Sequence, residues 1–261
     1  MNALKIAATG MAAQQTRVDV ISNNIANMST TAYQPRVAEF ADLIYQQHLS
    51  PGSITSQTGS IVPAGIQMGM GVRTSTVSLE IVQGALSATG GDLDLAIEGR
   101  GFFEITLPSG DAAYTRDGKF FRNAEGLIVN ADGYALADNI TVPDDARRVS
   151  ISPDGEVTAF FANVTEGQNI GTVSLTVFAN RKGLEALGGN LFRETAGSGT
   201  PIVGTAGTDG VGVMRQGYLE DSGVDVVEEI SELIEAQRGY ELNSKVITAA
   251  DEMYAATTRI R

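Results

Sequence analysis

The stretch AQRGYELNSKVITAADEMY, residues 236–254, decides the fold. It belongs to a segment, 220–261, whose apolar residues recur three and four positions apart and therefore share helix faces. One seam runs Val226, Ile230, Leu233, Gln237, Tyr240, Ser244, Ile247; a second runs Leu242, Val246, Ala249, Met253, Ala256, Ile260. The two seams lie on different faces, so the expected helix needs at least two partners to bury them. Ser222 is the expected N-cap, with Asp225 three residues on in a variant of the capping box. Asp225, Glu228, Glu229, Glu232 and Glu235 suit the positive end of the helix dipole, and Arg259 and Arg261 the negative end.

A matching seam stands at the other end of the chain. Leu4, Ala7, Met11, Gln14, Val18, Ile21, Ile25 and Met28 alternate three- and four-residue spacings, with Gln14 the polar exception. This predicts a coiled-coil helix about 40 Å long that stops after Met28, where Ser29, Thr30, Thr31 and Pro35 follow. The N-terminal helix can supply one partner for the C-terminal one; the other is expected to be a second copy of the chain. Asn23, Asn24 and Asn27 are unusual in a helix because asparagine competes for backbone hydrogen bonds. They read either as surface residues near a fraying end or as interhelical hydrogen-bonding residues that fix register.

Between the helices, RVAEFADLIY (36–45) is briefly amphipathic through Val37, Phe40, Ile44 and Tyr45. From Gln46 to Thr76 the chain turns to Gly, Ser, Thr and Gln, with Pro51 and Pro63, and is either a loop or an extended hairpin that orders against a partner. Residues 86–219 predict an antiparallel β-domain. Short apolar runs, LDLAI (93–97), FFEITL (102–107), GLIV (126–129), VSI (149–151), VTAFF (157–161) and VSLTVF (173–178), are separated by Ser-Gly, Asp-Gly and Glu-Gly turn pairs. Leu184 to Leu187 predicts a short helical turn. The expected fold is therefore α+β, with the helical ends at 1–30 and 220–261, an extended linker at 31–85 and the β-domain at 86–219.

Composition excludes several functions. Eighteen basic against 31 acidic residues, a net charge of −13, leave no basic stripe for nucleic acid. Without cysteine there is no disulfide framework, thiolate nucleophile or cysteine-type zinc site. The absence of an apolar run of about 18 residues argues against membrane insertion, and the spaced apolar residues at the N-terminus argue against a cleaved signal. His48, the one histidine, has no acidic or thiol neighbours and reads as a surface residue. Asp92 and Asp94 would share a strand face, as an acid/base pair should, but follow the Gly90-Gly91 turn and read as solvated edge charges. The glycine pairs at 69 and 71 and at 99 and 101 lack the third glycine of a dinucleotide fingerprint. No catalytic residue, cofactor or metal is expected.

Four segments resemble the flagellar rod and hook axial proteins: GMAAQQTRVDVISNNIANMSTTAYQ (10–34), LDLAIEGRGFFEI (93–105), AYTRDGKFFRNAEGLIVNADGY (113–134) and LEDSGVDVVEEISELIEAQRGYELNSKVITAADEM (219–253). The terminal motifs are shared across that family; the middle motifs, with YQQ (45–47) and GIQMGMGVR (65–73), resemble its distal-rod members more than the hook. The resemblance implies a non-catalytic subunit of a hollow helical tube that crosses the periplasm and transmits torque. The terminal helices would line its export channel, with the β-domain outside.

The implied self-assembly residues are Leu4, Met11, Val18, Ile21, Ile25, Val226, Ile230, Leu233, Tyr240, Leu242, Val246, Ile247 and Met253. The polar insertion, with Gln46, Pro51, Ile54, Ile61, Pro63 and Gln67, would be a hairpin that touches neighbouring subunits and stiffens the tube. Implied partners are further copies, proximal rod proteins, the hook protein, the P-ring and L-ring proteins and the flagellar type III export apparatus. The competing readings are a proximal-rod or hook paralogue and, from a different class, a secreted β-domain enzyme or binding module. Two departures stand out: Ala32 where the family commonly has glycine, which puts a positive-φ turn in doubt, and Gly239 where it usually has alanine, at about 1 kcal/mol of helix propensity.

Overall fold

The periodic ends form two helices, α1 (Asn2–Ala26) and α2 (Val226–Arg259), and the segments between them form short, mostly antiparallel strands. The structure, a computed structural model, describes residues 2–49, 65–162, 166–208 and 210–259. It divides into two units, Met1–Ala26 with Arg36–Ser78 and Asp225–Arg261, and Asn27–Pro35 with Leu79–Val224. Residues 31–85, read from sequence as one linker, are thus shared between the units.

In the helical unit α2 does not begin as the sequence suggests. The cap is Asp225, whose Oδ1 accepts the N–H groups of Val227 at 2.9 Å and Glu228 at 3.2 Å. Ser222 does not cap the helix: its Oγ is buried without a hydrogen-bond partner, and the following Gly223 N–H is bound to Tyr33 O at 3.0 Å. Four strands accompany the helices: β1 (Arg36–Asp42), β2 (Tyr45–Leu49), β3 (Ile66–Gly69) and β4 (Val72–Leu79). β1 is hydrogen-bonded to β4, and β2 pairs antiparallel with β3, Gln46 opposite Met68 and Gln47 opposite Gln67. The β1–β4 pair is fastened to α1 where Thr9 Oγ1 accepts the Val72 N–H at 3.3 Å.

The β-unit is built on a seven-stranded antiparallel sheet with strands in the order Glu185–Gly188, Leu191–Arg193, Ala112–Thr115, Phe103–Thr106, Ala135–Leu136, Ile128–Val129, Phe121–Arg122. A three-stranded sheet, Ala146–Ile151, Glu156–Phe161 and Gln168–Thr172, and three strand pairs complete it. Leu95, Ile97, Phe103, Ile105, Val157 and Leu175 are fully enclosed in its core. A second cluster stacks Phe102 edge-on to Phe178 and Phe192, with Tyr114 against Phe178. The helical turn expected at Leu184 is displaced: a 3-10 turn occupies Arg181–Gly183, and Glu185–Gly188 is an edge strand because it finds Leu191–Arg193 as a partner.

Ala32 occupies the left-handed region, at φ 54°, so the positive-φ turn that an alanine here put in doubt is present. The turn over-determines it: its methyl is buried and its N–H donates to Glu220 O at 2.8 Å, which together hold a conformation costing about 1–2 kcal/mol.

Asp117, in the Asp-Gly turn after Ala112–Thr115, carries a raised carboxyl pKa. Burial is the chief cause, repulsion from Asp94 and Asp132 adds to it, and the Lys119 N–H and ammonium oppose it. A raised folded-state pKa favours the protonated form, so the stability it contributes is present below the unfolded value near 3.8 and is lost as pH rises through the folded value. At pH 7 the ionised carboxyl therefore costs stability. Asp117→Asn keeps an Oδ1 for the Lys119 N–H, which sits at 3.0 Å, and removes the charge. It should raise stability at pH 7 by up to about 1 kcal/mol, a gain that shrinks toward pH 4; thermal melts across that range check it.

Candidate assembly surface

Helices α1 and α2 run antiparallel, and small residues set their separation. Gly10 faces Asn243, and Gly239 faces Gln14: a Cβ added at Gly10 would stand 2.9 Å from Asn243 Oδ1, and one at Gly239 3.1 Å from Gln14 Cδ. Each glycine thus receives a polar side chain from the opposite helix, which accounts for Gly239 despite its lower propensity. On α2 the fully buried side chains are Ala236 and Ala250, on the stripe that also carries Gly239 and Asn243. Arg17 pairs with Glu232 and Glu235, both at 3.3 Å. Nearer the end of α1, buried Asn24 reaches both Arg36 and Glu229.

The predicted seam residues fall into two groups. Ile21 is buried, and Leu4, Met11, Val18, Ile25, Val226, Leu233 and Ile247 are half-buried. Ile230, Tyr240, Leu242, Val246 and Met253 are exposed. Ile230, Leu242 and Val246, with Ile234, lie on one i+4 row of α2, interrupted by Arg238. Leu242 is 62% and Val246 48% accessible. A row of large aliphatic side chains in solvent, opposite a face packed on another helix, is what an association surface requires. Gln46 and Gln67 are exposed on β2 and β3. Pro51, Ile54, Ile61 and Pro63 lie outside the described residues.

Sequence reasoning weighted large apolar residues and so missed the alanine and glycine stripe at 236, 239 and 250, although its spacing is helical. It also missed Arg116 and Glu220, which meet in the interior of the β-unit at 2.8 Å. The signal was available in principle: an arginine beside the apolar AAYT run and a glutamate closing another strand are costly to bury unless they find each other. The exposed histidine, His48, lies on β2; Asp92 is exposed, and Asp94 accepts the Thr89 hydroxyl. Among the described residues no three His, Cys, Asp or Glu side chains are grouped to hold a metal ion, and no helix is long and apolar enough to cross a membrane.

Comparison with known proteins gives this surface its context. Three family models match: "Flagella basal body rod protein" over residues 4–34, "Flagellar hook protein FlgE/F/G D1 domain" over 96–159, and "Flagellar basal body rod FlgEFG protein C-terminal" over 215–260. The flagellar basal-body rod protein FlgG of Caulobacter vibrioides is 48% identical over 261 residues, the whole of both chains. Those of Agrobacterium fabrum, 47% identical over 99% of each chain, and Borreliella burgdorferi, 41% over 100% of this chain and 99% of its own, agree. With relatives at that identity along the whole length, the chain belongs to the flagellar basal-body rod protein FlgG family, structural subunits of the flagellar axis rather than enzymes.

Proposed function

We propose that the chain polymerises into the distal rod, a rigid, hollow helical shaft that crosses the periplasm, transmits torque and walls the export channel. The supporting observation is the exposed aliphatic row of α2 opposite its α1-packed face, which a further copy would bury. In this reading α1 and α2 form a coiled coil whose seams, from Leu4 to Ile25 and from Val226 to Met253, are shared between intra- and intersubunit contacts. The polar insertion Gln46 to Gln67, whose described ends pair as β2 and β3, would touch neighbouring subunits and stiffen the tube. Proximal rod proteins and the hook protein would abut its ends, the P-ring and L-ring proteins would surround it, and the type III export apparatus would deliver it.

Negative-stain electron microscopy of concentrated protein should show tubes, and isolated particles at every concentration would overturn the reading. Deleting residues 46–67 should leave tubes that are curved or flexible. Straight tubes from the deletion would remove the stiffening role while leaving assembly intact.

A further inference from the structure

Between α1 and α2 the helical unit carries a surface hollow of about 390 Å³, walled by Gln15 and Val18 of α1 and by Gln237, Tyr240 and Glu241 of α2. A cavity of about 150 Å³ holds a benzene-sized group, so the hollow has room for two aliphatic side chains. Its place on α2 follows from helix geometry. Successive residues advance by about 100° around the axis, so with Ala236 buried on the inward side, Tyr240, Gln237 and Glu241 fall on one flank. The exposed i+4 row drifts by about 40° per step, and by Leu242 and Val246 it has crossed the outward side to the other flank. One flank of the helix pair is hollow and the other carries a ridge.

The charges follow the same division. Glu241 stands on the outward rim of the hollow, and Lys245 stands on the outward edge of the ridge, next to Val246. Both are exposed. They are one turn apart on α2, the spacing of an intrahelical pair, yet neither takes part in an ion pair among the described residues. A second helix pair laid alongside in the same direction, and displaced by about five residues or 7.5 Å, brings its ridge level with the hollow and its Lys245 beside Glu241.

We propose that the Leu242–Val246 ridge of one copy seats in the Val18–Tyr240 hollow of the next, with Lys245 of the first against Glu241 of the second. The seat rests on the rod reading and names the contact through which copies meet. Ridge and hollow lie on opposite flanks and cannot meet within one chain. The contact is heterologous, each copy offering one surface and receiving the other, so growth continues into a ring or helix instead of stopping at a two-fold dimer.

The chain contains no native cysteine, so engineered pairs report the contact without background. In tubes of the full-length protein, Gln237→Cys with Val246→Cys should oxidise to a ladder of covalent oligomers, because cysteines on opposite flanks of one helix are too far apart to bridge. Each single variant should stay monomeric on the denaturing gel. Tubes of the double variant that give no ladder would overturn the seat and leave the rod reading standing. Dimers from a single variant would reveal a two-fold contact and overturn it too. A parent that forms no tubes removes the rod reading and the seat together. Should the cysteines themselves block assembly, charge reversal decides. Glu241→Lys and Lys245→Glu should each raise the concentration needed for growth by about fivefold, and an equal mixture of the two should return it to within about twofold of the parent, each variant supplying the charge the other lacks. Mixing cannot repair a pair made inside one helix, so a mixture that stays at the raised threshold would overturn the proposal.

Discussion

Leu242→Glu should abolish tube formation and leave the single chain folded. Leu242 is 62% accessible in the chain, so a carboxylate there stays in water. Leucine and glutamate have nearly the same helix propensity, and the substitution should change monomer stability by no more than about 0.5 kcal/mol. In an assembly that buries the aliphatic row, the same change removes about 1.5–3 kcal/mol of leucine burial and places an unpaired charge in an apolar contact at a cost of several more. Each 1.4 kcal/mol raises the concentration needed for growth about tenfold, so the total puts assembly beyond reachable concentrations. Leu242→Ala, which loses burial without adding charge, should raise that concentration by one or two orders of magnitude. Sedimentation and microscopy read the assembly; circular dichroism reads the fold.

The control lies six residues away. Ala236 is wholly buried, so Ala236→Glu should disrupt the α1–α2 pairing itself and lower helicity in the monomer. The same glutamate therefore fails in two different ways according to which face carries it. Tubes from Leu242→Glu at the parent's threshold would mean that the aliphatic row is not the assembly contact.

That contrast marks where the sequence could be read and where it could not. Helical periodicity is a local property, and the apolar spacing at both ends was sufficient to place α1 and α2 and to show that α2 has more apolar surface than one neighbour can cover. Which face meets α1 was not legible. The decision is made by close approach at Gly10, Ala236, Gly239 and Ala250, whose small side chains contribute little to an apolar pattern while permitting the helices to touch. The β-unit shows the same division. Its apolar runs and Asp-Gly turns announced antiparallel strands, but the order of the seven-stranded sheet, with Glu185–Gly188 and Leu191–Arg193 placed beside Ala112–Thr115, is set by non-local pairing that no short motif encodes. The start of α2 was displaced by three residues because Asp225 and Ser222 are both good caps, and the Tyr33–Gly223 hydrogen bond, a contact nearly 200 positions apart, chooses between them.

The other large effect is expected at the ion pair inside the β-unit. All five N–H groups of Arg116 are used: Nε and Nη2 reach Glu220 Oε2 at 2.9 and 2.8 Å, Nη1 donates to Gly99 O and Gly101 O at 3.1 Å, and Nη2 also donates to Ile97 O at 3.3 Å. Glu220 Oε1 accepts the Gly84 N–H at 3.2 Å. Gly99 adopts φ 112°, a conformation open to glycine, in the loop whose carbonyls Arg116 gathers. The pair thus joins the end of the strand Leu95–Glu98 and the turn after it to the strand Tyr218–Glu220. Both side chains are at most 2% accessible, so water cannot replace a missing partner. Arg116→Met leaves an uncompensated carboxylate and three carbonyls in the interior and should cost about 3–5 kcal/mol, a large share of the 5–15 kcal/mol typical of a domain. Arg116→Lys should recover little, because an ammonium has three donors and no planar fork. Arg116→Met with Glu220→Met removes both charges and should be more stable than Arg116→Met alone, by about 1–3 kcal/mol in urea titrations followed by the tyrosine signal. A loss below about 1 kcal/mol for the single variant, or a double variant no better than it, would show that the pair does not hold the β-unit closed.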